Sequence, residues 1–396
     1  MTAPMTRPMT RPPFHLAVAL DGTGWHPASW REPGARADEL FTAGFWVDQV
    51  REAEAGLLDL VTFEDAFALP DERPDHVQGR VDAVLTALRV GPLTEHIGLV
   101  PTIVATHTEP FHVATQIATL DWVTSGRAGV RVKVSSDPAE YALFGRRDPD
   151  AETRESLFDE AADHVEVQRR LWDSWEDDAE IRDAATGRFI DREKLHYIDF
   201  EGPHFSVRGP SITPRPPQGQ PVVTALAHVD TAYRLAARSA DVVFVTPDGT
   251  GRHGPTGDAA SILAQVREAE GGVERGAPLH VFGDLLVVLD DTAGAAHDRL
   301  RRLDESDGAG GPGLRSDARI LVGTAAEVAD VLAGWHDAGL TGARLRPAVT
   351  AHDLPRVTGE LVPELQRRGL HRTAYEADTL RGLLGLERPA DRYAQV

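Results

Sequence analysis

Two places in this chain bring together side chains that could do chemistry. The first is the stretch His96–Ser136, HIGLVPTIVATHTEPFHVATQIATLDWVTSGRAGVRVKVSS, where Thr102, Thr106 and His107 stand at the end of an apolar run. A neutral imidazole there could move a proton near neutral pH, and the hydroxyls could bond a polar ligand. The second is the run Leu58–Phe63, which closes on Glu64-Asp65. Asp65 is either a working carboxylate at a strand end or an Asp that forms a turn. His228 could donate to an anion or simply begin a helix. Metal chemistry has no support, because no HxxxH or HExxH pair occurs, and no GxSxG elbow points to a hydrolase. Cysteine is absent. Thiolate catalysis, disulfides and iron-sulfur clusters are therefore excluded, and redox chemistry would need a bound cofactor.

These residues need a scaffold, and hydrophobic periodicity supplies one. The stretch His96–Ser136 reads as strand, helix from Pro110 to about Thr124, strand: one βαβ unit, with Val113, Ile117 and Leu120 on the buried helix face. Upstream, a strand at His15–Leu20 ends on the turn-rich DGTGW, a helix spans Asp38 to about Ala55, and a second helix runs from about Gln78 to Val90. Downstream, a helix from Ala151 to about Trp175 carries acids early and Arg169-Arg170 late, as the helix dipole prefers. Strands follow at Pro221–Leu226, Asp241–Thr246, Leu279–Leu289 and Ala343–Leu345, with helices between them. Strand centres at Ala17, Leu60, Leu99, Val132, Val223, Val243, Val287 and Leu345 give eight alternating units. The α/β class is then a closed (β/α)8 TIM barrel, with an open doubly wound sheet as the other arrangement of the same period. In a barrel the site lies among the loops after the strands.

The segment 177–220 interrupts this alternation between strands 4 and 5 with many glycines and prolines. A loop of that length in a compact domain suggests a lid or binding excursion, here part of a substrate roof. Residues 1–13, with repeated Met-Thr-Arg-Pro, read as a disordered tail, 14–388 as a single barrel domain and 389–396 as a C-terminal tail. The 396 residues carry a net charge of −21, which disfavours nucleic acid and anionic membrane as partners. With no signal-like apolar stretch, a cytoplasmic location is expected. Gly249–Gly254 fits GxGxxG, but the acids that follow lie in a helix and Pro255 comes at once, so a glycine-rich loop is favoured over a dinucleotide site. Arg127, in a Ser-Gly-Arg-Ala-Gly turn, is expected to form a buried salt bridge at the barrel rim.

Several longer phrases carry a family resemblance: GLVPTIVATHTEPFH (98–112), LDWVTSGRAG (120–129), VEVQRRLWDSWEDDAEIRD (165–183), EGPHFSVRGP (201–210) and PRPPQGQPVV (214–223). The chain resembles the bacterial-luciferase-like flavin monooxygenases, in the branch with nitrilotriacetate and dibenzothiophene-sulfone monooxygenases. The resemblance implies a two-component monooxygenase: reduced FMN (FMNH2) from a separate NAD(P)H:flavin reductase, O2 as co-substrate, a small organic substrate, and a dimer or tetramer of like subunits. A deazaflavin (F420)-dependent oxidoreductase and a barrel that has lost flavin remain the alternatives.

Carried over residue by residue, the resemblance puts Asp65 and His107 in catalytic roles. It puts Asp65, Thr102, Thr106, Arg154, Phe158, His228 and Val229 around the flavin ring and phosphate. The chain also departs from the family pattern. The strand Trp-Asn-x-Val-Thr-Ser becomes Val130-Arg-Val-Lys-Val-Ser-Ser136. A His and Tyr four apart become Arg154 and Phe158, and the Gly-Ala-Ser-Glu-x-Gly phosphate loop becomes Ala227-His-Val-Asp-Thr-Ala232. A phosphate needs small residues and free N–H groups at a helix start, which Val229 and Asp230 do not offer. Arg154 could compensate with a charged contact.

Overall fold

The structure is a computed structural model that describes residues 13–394 apart from 70–72, 252–253, 309–310 and 312. The segment read as an N-terminal tail lies almost wholly outside those residues. Eight parallel strands close on themselves: β1 (His15–Leu20), β2 (Leu60–Phe63), β3 (Gly98–Val104), β4 (Gly129–Lys133), β5 (Val222–Leu226), β6 (Val242–Val245), β7 (His280–Leu289) and, after β8 (Arg319–Gly323), β9 (Gly342–Pro347), which pairs back onto β1. All eight predicted strand centres fall within these strands. The closed arrangement, not the open sheet, is the one formed.

A ninth strand, β8 (Arg319–Gly323), is not among the predicted ones. It pairs with Leu285–Leu289, the upper half of β7, above the point where β6 has ended. It raises one side of the barrel wall and delivers Asp317, just ahead of it, to the mouth.

The helices follow the expected order with shifted starts. Helix α1 (Ala43–Ala55) begins where Thr42 accepts the Phe45 N–H, five residues later than the apolar period suggests, and α2 (Ala83–Val90) begins at the Asp82 cap. Helix α3 (Pro110–Val123) is as predicted, while α4 (Pro138–Phe144) is an addition seeded by Asp137-Pro138. Helix α5 (Arg154–Trp172) opens on a reciprocal capping box between Thr153 and Ser156. Helices α6 (Asp230–Ser239), α7 (Ala259–Glu270), α8 (Ala293–Ser306), α9 (Ala325–Ala338) and the helical stretch after β9, Thr350–Arg356 running on into Val362–Arg367, complete the ring. The lower interior is apolar: Ala17, Leu60, Val100, Val222, Val242, Phe244 and Phe282 pack with Leu380 and Leu384 from the C-terminal segment. Burying each of the larger ones contributes roughly 1.5–3 kcal/mol.

The 177–220 insertion stands where the sequence placed it in the chain, but on the opposite face from the one expected. It holds two short hairpins, Glu180–Asp183 with Arg188–Ile190 and Phe200–Glu201 with Ser206–Val207. It packs on the C-terminal ends of α3 and α5: Gln218 bonds Asp121 and Ala128, Arg215 bonds Asp173 (3.0 Å), and Gln220 bonds Arg169. A segment that follows a helix returns the chain to the start of the next strand. The insertion therefore closes the N-terminal face and cannot roof the mouth. Residues 381–393 fasten it there, through Arg381 to Gln218 and Gln220, Pro389 to Arg215, and Tyr393 stacked on His196 at 5.3 Å.

Arg127 also holds the rim of this lower face, by different means from those expected. Its guanidinium donates to the carbonyls of Gly91, Thr94, Ile97 and Thr124 and to the Thr94 hydroxyl, and it bonds no carboxylate. Five donors on one planar group suit a set of converging carbonyls as well as an anion.

Candidate functional site at the barrel mouth

Side chains alternate along a strand, so every second residue points into a barrel. Above the apolar layer the inward positions become charged: Glu64 just past β2, Arg131 and Lys133 on β4, Asp284 on β7, and Arg344 and Arg346 on β9. Arg344 forks onto Asp284 (Nε–Oδ1 2.8 Å, Nη2–Oδ2 2.5 Å) and reaches Glu64 and Thr62 with Nη1, each at 3.2 Å. Its guanidinium lies 4.1 Å from the Phe244 ring centre. Arg131 holds the other Glu64 oxygen. Arg346 bonds Asp284 on one side and Asp317 (2.5 Å) on the other, and Asp317 accepts from His228 Nε2 at 3.1 Å. One unbroken chain results: Arg131–Glu64–Arg344–Asp284–Arg346–Asp317–His228.

This chain is buried at one end and wet at the other. The side chains of Arg344, Asp284 and Arg346 are 0–1% exposed and those of Arg131 and Glu64 are 6% and 9%, whereas His228 and Asp317 are 29% and 33% exposed. Burial alone would push the Glu64 carboxyl up, but Arg131 and Arg344 outweigh it and hold the pKa at about 2. For Asp317, burial likewise pushes up, and the His228 bond and Arg346 pull the carboxyl far below the usual range. Burial lowers Arg131 despite Glu64, and lowers Lys133, with Arg131 adding to the effect. Besides Arg346 Nε, three polar atoms of the barrel interior have no hydrogen-bond partner among the described residues: Thr102 Oγ1, Arg131 Nε and Thr224 Oγ1. These residues are cross-strand neighbours in register over β3, β4 and β5.

The residues singled out from the sequence do not share one pocket. Thr102 faces the interior, beside Arg131. Thr106 is a clamp, its Oγ1 accepting from Ser135 N–H (3.0 Å) and its carbonyl from Arg147 (2.8 Å). Both Asp65 oxygens are taken, by the N–H groups of Ala66 (2.8 Å) and Ala83 (2.9 Å), so the side chain anchors the start of α2 and does not face the barrel. His107 is 2% exposed, stacked on Phe144 at 4.7 Å, with Tyr141 and Phe67 at its edges and Glu140 3.8 Å away. Burial lowers its pKa. Arg154 is exposed on the first turn of α5. Phe158 lines an outer groove of about 420 Å³ between α5, α6 and α7, together with Thr231, Arg234 and Arg238. Val229 precedes α6 without capping it by a side chain. Only Thr102 and His228 belong to the charged mouth, and Glu64, Arg131, Asp284, Asp317, Arg344 and Arg346 are the members that sequence reasoning missed. Their signal was the spacing of two in Arg131-x-Lys133 and Arg344-x-Arg346.

The GxGxxG candidate is also settled by its hydrogen bonds. The Gly249 N–H is used by Thr246 O and Thr256 Oγ1, and Thr250–Gly251 pairs with Gly254–Pro255 as a hairpin, with no helix start to receive a pyrophosphate.

Comparison with known proteins gives one family. Residues 23–310 match the model of the luciferase-like monooxygenases. The chain is 30% identical to N-acetyl-S-(2-succino)cysteine monooxygenase of Bacillus subtilis and 31% identical to nitrilotriacetate monooxygenase component A of Aminobacter aminovorans, in each case covering 96% of this chain and 98% of the relative. The crystal structure of a long-chain alkane monooxygenase superposes with a TM-score of 0.83 at 22% identity, over 95% of this chain and 96% of that one. The chain therefore belongs to the luciferase-like monooxygenases, a family of flavin-dependent oxidoreductase enzymes.

Proposed function

We propose that this chain works in a two-component monooxygenase system that oxygenates a small organic molecule, with reduced FMN supplied by a separate NAD(P)H:flavin reductase, O2 as co-substrate, and a cytoplasmic setting. The observation that carries this reading is likeness from end to end: the whole barrel matches relatives whose names are those of monooxygenases, one of them a component A. Among the described residues no helix is long and apolar enough to cross a membrane. An assembly of two or four like subunits belongs to the same proposal.

The residues present do not fit FMN in this arrangement. At the ring end, Glu64 and Arg131, 9% and 6% exposed, bridge the interior from β2 to β4 and meet Arg344, so buried charges stand where a flat tricyclic ring would lie. At the phosphate end, the turn before α6 offers Val229 and Asp230. The arginines of the adjoining groove are already paired, Arg234 with Asp230 and Arg238 with Asp163. No step is therefore drawn through the flavin. F420 meets the same obstacle, since its ring has the same three-ring outline. What the chain's own residues do is hold a fixed charge pattern: Asp317 keeps His228 oriented, Arg346 keeps Asp317 ionised, and Thr102 presents an unpartnered hydroxyl inward.

A second reading is favoured by that filled mouth: a luciferase-like barrel that has given up its own flavin and binds a small molecule near His228. One titration separates the two. The purified protein is titrated with FMNH2 under nitrogen, then exposed to oxygen while absorbance is followed. Saturable binding and an oxygen-dependent flavin species support the monooxygenase reading; absence of binding for both FMN and F420 overturns it.

A further inference from the structure

We infer that Glu64 and Arg131 form a removable plug that keeps flavin out of the barrel, a proposal that deepens the second reading above. The pair spans the mouth from β2 to β4, and both side chains are under 10% exposed. Arg131 has no other carboxylate bonded to it, and its Nε is unpartnered, so its position depends on Glu64. The remainder of the charged chain gives up only the Arg344 bond to Glu64 when this pair leaves. Without it, Arg344 stays forked on Asp284, and Arg346 stays between Asp284 and Asp317, two cations facing two anions. Charge balance inside the barrel is thus kept when both members leave together and broken when only one does. The volume they vacate is lined by Thr102 Oγ1 and Thr224 Oγ1, which face it with no partner of their own. Two free hydroxyls on the strands to either side of β4 suit the carbonyl and ring-nitrogen edge of a flavin.

The test compares the parent chain with the double variant Glu64→Ala/Arg131→Asn, using quenching of FMN fluorescence and, under nitrogen, calorimetric titration with FMNH2. The expected result is no saturable binding to the parent up to about 1 mM, and binding to the double variant at least about tenfold tighter. Binding of FMN to the parent at micromolar concentration would overturn the plug while leaving the monooxygenase reading in place. A double variant that unfolds cooperatively like the parent, yet binds no flavin, would overturn the plug without rescuing that reading. Should the double variant fail to fold, Glu64→Gln/Arg131→Asn carries the same expectation, because both charges again leave together while less volume is removed.

Discussion

Removing Glu64 and Arg131 singly and together should reveal how tightly the mouth is coupled. Glu64→Ala strands Arg131 in the interior with no carboxylate, and breaking a buried pair in this way costs about 3–5 kcal/mol. Arg131→Asn should cost less, about 1–3 kcal/mol, because Glu64 retains Arg344 at 3.2 Å. The double variant removes both charges, so its cost should fall short of the sum by at least about 1.5 kcal/mol. Urea unfolding at neutral pH, followed by far-UV circular dichroism and by tryptophan fluorescence, measures all three, with coincident transitions as the check on two-state behaviour. The pH dependence gives an independent handle. Glu64 titrates near 2 in the folded chain against an ordinary 4.5, so its stabilisation is complete above about pH 4.5 and is lost as pH falls toward 2. The Arg131→Asn variant should lose less over that window. Additivity of the two single costs within about 0.5 kcal/mol would refute the reasoning.

Three further outcomes are expected. Arg127→Ala should destabilise by about 3–5 kcal/mol in urea unfolding, because four carbonyls each lose a guanidinium donor at once, and Arg127→Lys should recover only part of it. Burial holds the His164 pKa at about 4, below the ordinary 6.5, so the unfolded chain takes up this proton first and stability falls as pH drops from about 6.5 to 4. His164→Gln should flatten that slope in part, leaving the share of His280, which burial also holds at about 4. Arg154→Ala should leave stability within about 0.5 kcal/mol of the parent and should leave flavin binding of the double variant unchanged, since this exposed side chain lies outside the charged mouth.

Much of the scaffold was legible because parallel barrel strands are buried on both faces and announce themselves as apolar runs. The strand β8 escaped because Arg319–Gly323 is short, only partly buried, and adjoins a glycine-rich stretch. The site was harder to read for a definite reason. Charges at every second position of a strand ordinarily mark a face turned to water. In β4 and β9 the outward face is covered by helices, and the charged positions turn into the barrel. Family correspondence chose Asp65 rather than its neighbour Glu64, and only the structure shows the first bonded to the N–H groups of Ala66 and Ala83 and the second joined to Arg131 and Arg344 inside the mouth. His107 was read as a proton-transfer group because it stands at a strand end; α4, not among the predicted helices, is what buries it. The side on which the insertion lies was decidable from connectivity alone, as it follows a helix and not a strand.

The fastening of 177–220 by residues 381–393 separates the molecule's tasks. One end of the barrel is tied down by groups distant in sequence, while the charged groups of the other are carried on strand ends and on the loops that follow them. Drift or engineering at the mouth can thus proceed without loosening the base, and a chain of this build can exchange its chemistry more readily than its architecture.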